Sequence, residues 1–214
     1  MAESAPLGRI IVGETCVAEG AEWLRHAEPR FARALDETGA LPLRLKTDGY
    51  AALLNAIVSQ QVSVASAAAI WGRLEDARLT GPRKVLAATE DDLRACGLSR
   101  PKVRYAKALA LAQIDYPSLR QAPNAQVLET LTAVPGIGQW TAEIYVMFSL
   151  GRADVFAPGD LALQEAVKDL WELEKRPAEK ELRQLATAWS PWRAVAARLL
   201  WAYFRVIKDR EGIR

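Results

Sequence analysis

Residues 135 to 138 read Pro-Gly-Ile-Gly, and the stretch that follows from Gln139 has the apolar spacing of a helix. A helix beginning there leaves four backbone N–H groups without intrahelical partners. Glycines at 136 and 138 permit left-handed dihedrals and remove side chains that would screen those donors. Such a cradle suits a phosphate oxygen, and the same residues would equally serve an αα-hairpin whose turn only reverses the chain. Ile137, between the glycines, is suited to plug the turn into its own two helices. Asp160 stands directly before another apolar-periodic stretch, where a carboxylate caps a helix and, held by amide donors, stays ionised. Seven tryptophans are many for 214 residues, and aromatic residues on helices mostly fill cores. Cys16, Cys96 and the lone His26 cannot make a four-thiolate cluster or a zinc site, so no cofactor is expected.

These groups need a scaffold, and the pattern of the chain describes one. Apolar residues recur at three- and four-residue spacing in segment after segment, which predicts an all-α protein. Helices are expected over 20–27 and 29–38, the second opened by Pro29. After the linker "LPLRLKT", Asp48 is expected to cap a helix carrying Tyr50, Leu53, Leu54 and Ile57, and Ser63 to open the next. Further helices are expected over 82–88, 90–95 after Thr89, 99–113, 124–134, 139–150, 161–171, 178–188 and 191–208. "RIIV", residues 9–12, is the one strand-like stretch. Half of the residues are apolar, enough for one sizeable core or two modest ones. Apolar runs are too short to span a membrane and no leader pattern stands at the start, so a cytoplasmic, nucleoid-associated protein without membrane contact is expected. A net charge of +2 neither demands nor excludes nucleic acid.

Four blocks carry a resemblance. "LTAVPGIGQWTA" is similar to the helix–hairpin–helix motif of DNA-repair proteins. "VFAPGDLAL" places Asp160 at the distance from the hairpin that marks the helix–hairpin–helix glycosylase superfamily. "NAIVSQQVSVASAAAIWGRL" and "WSPWRAVAARLLWAYF" resemble the opening and closing stretches of the bacterial 3-methyladenine DNA glycosylase II family. The likeness runs in order from about residue 45 to residue 203.

The resemblance implies a two-lobed all-α fold with a DNA-binding cleft between the lobes. One lobe would hold residues 45–152, ending in the hairpin, and the other would combine 1–44 with 153–214. The larger N-terminal α/β domain of the enterobacterial member is expected to be missing. The implied activity is that of a monofunctional DNA glycosylase of base excision repair, a monomer acting on double-stranded DNA with alkylation damage such as 3-methyladenine. Asp160 would be the catalytic residue, its carboxylate stabilising positive charge on the sugar. Trp140 and Trp201 match aromatic positions of the base pocket, where an electron-rich face attracts a cationic base. Tyr145 lies in the same block, and Ile144 stands where the enterobacterial member has a tyrosine, which implies a pocket of different shape. Gln61 matches the side chain inserted into the duplex, next to Gln60 in the same loop. Pro135, Gly136, Ile137, Gly138 and Thr141 would hold the DNA backbone, with a monovalent cation possible at the carbonyls of Val134 and Gly136. "LSRPKVRYAK" reads as a solvated basic face from which Lys102 could reach phosphate. The other readings are a non-catalytic helix–hairpin–helix module, and a related glycosylase for mismatched or oxidised bases.

Overall fold

The computed structural model describes residues 7–210 and 212, and among them it is helical throughout. Helix α1 (Glu14–Ala27) and helix α2 (Pro29–Thr38) meet at Glu28, whose carboxylate accepts the Arg30 N–H at 3.1 Å with Pro29 in the first turn. The expected start at residue 20 is corrected. Gly20 lies inside α1, because a Cβ there would stand 2.6 Å from the Trp192 ring and 2.7 Å from Val195. Gly20, expected as the first residue of the helix, is thus a point of close packing inside it.

The "RIIV" strand is corrected as well. It makes one antiparallel bridge, Ile10 to Arg152, flanked by Ile11 N–H to Gly151 O at 2.7 Å and Ala153 N–H to Arg9 O at 3.0 Å. The facing partner is a short turn and α1 starts at Glu14, so no ladder extends from it.

The chain divides into two compact units, Lys46–Tyr145 and the pair of segments Met1–Leu45 and Val146–Arg214. The first contains α3 (Tyr50–Ser59), α4 (Val64–Asp76), α5 (Pro82–Ala87), α6 (Glu90–Ala95), α7 (Arg100–Leu111), α8 (Tyr116–Leu119) and α9 (Asn124–Thr132). It also holds most of α10 (Gln139–Phe148). Helices α3, α5 and α6 pack on α7, and α4 packs on α3. Leu53, Ile57, Leu74, Val103, Val127 and Leu131 are buried in this unit. Ser63 caps α4 by accepting the Ser66 N–H, and Thr89 and Asp92 form a capping box on α6. Asp48 does not cap α3. Gly49 is the N-cap, and the Asp48 carboxylate instead takes the Arg120 guanidinium in two bonds of 2.6 and 2.9 Å.

In the other unit, α1 and α2 join α11 (Leu161–Leu170), α12 (Glu179–Leu185), a 3-10 turn over Ala186–Trp189 and α13 (Arg193–Arg210). Helix α13 packs against α11, α2 and α1. Its neighbours include an aromatic cluster in which Trp189 lies 5.1 Å from Phe31, 5.2 Å from Phe156 and 5.7 Å from Trp171, centroid to centroid. Arg198 of α13 is fully buried. It donates Nε and Nη2 to the Leu43 carbonyl at 3.1 and 3.0 Å and Nη1 to the Ala194 carbonyl at 2.8 Å. Burial and the nearby Arg44 pull its pKa down to about 10. No helix among the described residues is long and apolar enough to cross a membrane.

Candidate functional site

The hairpin joins α9 to α10. Val134 O accepts the Ile137 N–H at 3.0 Å, which closes the turn, and Ile137 is 3% exposed, so it does plug the hairpin into its helices. The two glycines have different reasons to be glycine. Gly136 sits at φ +91°, and a Cβ there would collide with the ring of Tyr105 on α7. Gly138 has no left-handed φ, and a Cβ on it would meet nothing within 4 Å. What its missing side chain leaves open is the approach to the amides at the start of α10, where the bond from Ala142 N–H to Gly138 O begins the helical ladder. Pro135, Gly138 and Gln139 are exposed around this turn, while Thr141 is buried.

The turn between α3 and α4 is held onto the hairpin from the same unit. Gln60 donates its side-chain amide to Gly136 O at 2.9 Å, and Lys102 donates Nζ to Val58 O at 2.7 Å, at the end of α3. Burial lowers the pKa of Lys102. With Gln60 and the end of α3 tied down, Gln61 projects from the turn, exposed, at φ +56°. A glutamine in the left-handed region is uncommon enough to mark a held conformation.

The carbonyls of Val134 and Gly136 already accept N–H bonds from Ile137 and Gln60. Each oxygen keeps a second lone pair with which it could hold a monovalent cation, and no step below runs through one.

Further along α10, Trp140 is 46% exposed in the first turn. Ile144 is half-buried. Tyr145 is buried, and its hydroxyl accepts the Gly49 N–H at 2.9 Å. Burial pushes its pKa up to about 12. Glu143, a residue the sequence reading passed over, is 1% exposed and accepts the Gln139 amide at 3.0 Å. Its signal was available: a carboxylate inside the apolar run "AEIYVMF" belongs to a residue type almost never fully buried unless paired.

In the other unit, Asp160 is the N-cap of α11. Its Oδ1 accepts Ala162 N–H at 2.9 Å, Leu163 N–H at 3.2 Å and the Trp201 indole N–H at 3.2 Å. Buried Gln164 steadies the preceding loop by donating to Pro158 O at 2.7 Å. The indole of Trp201 also lies 5.7 Å from Phe148, at 34°. Three N–H donors on one oxygen hold the carboxylate in place. Trp201→Phe keeps a ring and removes one donor from a charged acceptor.

Comparison with known proteins follows this geometry. The model of the HhH-GPD superfamily base excision DNA repair protein matches residues 54–191. A curated relative, DNA-3-methyladenine glycosylase 1 of Schizosaccharomyces pombe, is 32% identical over 79% of this chain and 78% of its own length. Among solved structures, a DNA-3-methyladenine glycosidase from Bacillus halodurans superposes with a TM-score of 0.80 at 32% identity, covering 89% of this chain and 91% of that one. The S. pombe 3-methyladenine DNA glycosylase, solved in complex with abasic DNA, gives a TM-score of 0.75 at 28% identity, covering 86% of this chain and 95% of that one.

Proposed function

The chain belongs to the HhH-GPD superfamily of base excision DNA repair proteins, and from that premise we propose that it is a monofunctional 3-methyladenine DNA glycosylase. The observation that carries the reading is the Asp160 carboxylate, fixed on one oxygen by two backbone amides and an indole. Cleaving an N-glycosidic bond sends the bonding electron pair to the leaving base and leaves positive charge on the sugar. A carboxylate fixed beside that carbon stabilises the charge and orients the water that adds to it. A base alkylated on a ring nitrogen is already cationic, hence a good leaving group that needs little acid catalysis.

The other residues take supporting roles. The amides around Gly136 and Gly138 anchor a backbone phosphate, and Gln61 enters the duplex in place of the flipped nucleotide, where its amide can also bond the orphaned partner base. Flipping costs a few kcal/mol, less for a damaged pair. Trp140, 46% exposed, offers an aromatic face to a cationic base, and Trp201 acts through the bond it gives Asp160. Lys102 and Gln60 act through the turn they hold. Incubation with methylated duplex DNA, followed by chromatography of the free bases, tests the reading: 3-methyladenine is the expected product. A protein that binds the duplex and releases nothing is a non-catalytic binding module.

Whether the strand is also cut depends on a nucleophilic amine. Bifunctional members of the superfamily carry a lysine two residues after the second hairpin glycine, and here Trp140 occupies that place. The indole nitrogen has no nucleophilic lone pair. Borohydride added during turnover is therefore expected to trap no protein–DNA adduct, and the product is an intact strand with an abasic site. A substantial cross-linked band would show that the protein, not water, attacks the sugar.

A further inference from the structure

Helix α13 presents Arg198, Trp201 and Arg205 in one row, at the three- and four-residue spacings that place side chains on a common face. The linker segment Leu43–Arg44 lies along that row. Leu43 O receives two bonds from buried Arg198, and the Arg44 guanidinium then stands 6.0 Å from the centre of the Trp201 ring. Arg44 reaches this position from φ +54°, a left-handed conformation that a side chain other than glycine adopts at a cost.

Neither Arg44 nor Arg205 has a hydrogen bond or ion pair with any described residue. Each guanidinium keeps its fork of N–H donors, and Arg205 is exposed. Partial burial and the charge of Arg205 both disfavour the charged form of Arg44. The Asp160 carboxylate on the far side of this row bonds the indole and the amides of α11, so the two cations have no carboxylate in an ion pair with either of them. A cationic base would add to the repulsion and a neutral carbonyl would offset little of it. A phosphodiester fits both the charge and the planar fork.

The geometry points to Arg44 and Arg205 as a joint clamp on one phosphate of the DNA strand, next to the ring that bonds Asp160. The placement rests on the reading of Asp160 and Trp201 as the reacting end of the protein. The clamp is a second backbone contact, separate from the hairpin and made by side-chain charge instead of backbone amides.

The test uses the full chain and a set of abasic-site duplexes in which single phosphates around the lesion are replaced by neutral methylphosphonates. With the parent protein, one position is expected to cost about tenfold in affinity through the clamp. At that same position Arg44→Gln and Arg205→Gln lose nothing further, because the contact is already gone. On the unmodified duplex each variant shows a salt dependence shallower by about 0.9 in log–log slope, and the double variant is no weaker than the worse single.

Arg44→Lys, which keeps the charge and loses the fork, should retain the slope and bind with intermediate affinity; it serves also if Arg44→Gln is poorly folded by thermal melting. If every methylphosphonate penalty persists in full in the variants, with unchanged slopes, the clamp does not exist. A changed ratio of neutral to cationic bases released, with those slopes unchanged, would instead put Arg44 against the base edge. Failure of the glycosylase reading appears separately, as a parent protein that releases no base.

Discussion

Asp160→Asn is expected to lower the single-turnover rate of base release about a hundredfold or more while leaving affinity for abasic-site DNA nearly unchanged. The substitution separates charge from structure unusually well. Asparagine is as good an N-cap as aspartate, and its amide oxygen can keep the bonds from Ala162 N–H, Leu163 N–H and the Trp201 indole. Helix α11 should therefore start where it does now, and melting temperature should move little. What disappears is the negative charge proposed to offset the positive sugar. Asp160→Ala is a poorer probe, because it also removes a cap worth about 1 kcal/mol. Near-normal base release by Asp160→Asn would end the catalytic assignment.

Gly138→Asp is expected to weaken binding to damaged and undamaged duplex alike, by roughly tenfold to a hundredfold, without unfolding the protein. The site is open: a Cβ there touches nothing within 4 Å, and the backbone has no left-handed φ. An added carboxylate would sit among amides proposed to face phosphate and repel it, and losing even one charge-assisted contact costs about 1.5–3 kcal/mol. Gly138→Ala, which adds bulk without charge, should lose much less. Gly136 cannot serve the same purpose. At φ +91°, against the Tyr105 ring, any side chain would deform the turn itself, and lost binding would report only a damaged hairpin. Unchanged affinity in a folded Gly138→Asp protein would make the turn a chain reversal and nothing more.

The readable parts of this molecule were local ones. Pro29 in the first turn of α2, the Ser63 cap and the Thr89 box depend on residues a few positions apart, and each forms as its spacing predicts. Ile137 plugs the hairpin for the same reason. Asp160 as a cap needed only the apolar stretch behind it, whereas its third donor comes from Trp201, 41 positions away, and no spacing announces that bond.

Long-range packing explains the misses too. Gly20 looks like the start of a helix until Trp192 and Val195 are seen against it. Asp48 looks like a cap until Arg120 arrives from 72 positions away. Arg44 gave no sign at all, since nothing in "LPLRLKT" says that an arginine will adopt a left-handed backbone. That conformation is set by Leu43 O on buried Arg198, a contact across 155 positions.

One unit is assembled from both ends of the sequence, and this bears on the order in which the protein is made. Lys46–Tyr145 is continuous, with helices that meet near neighbours along the chain, so it can condense as soon as it is synthesised. Helices α1 and α2 leave the ribosome well before α13, against which their apolar faces pack. Throughout that interval those faces lack their partner, which makes the nascent N-terminal pair the natural client of a chaperone. The bond between Asp160 and Trp201 forms under the same delay, because its two partners lie 41 positions apart.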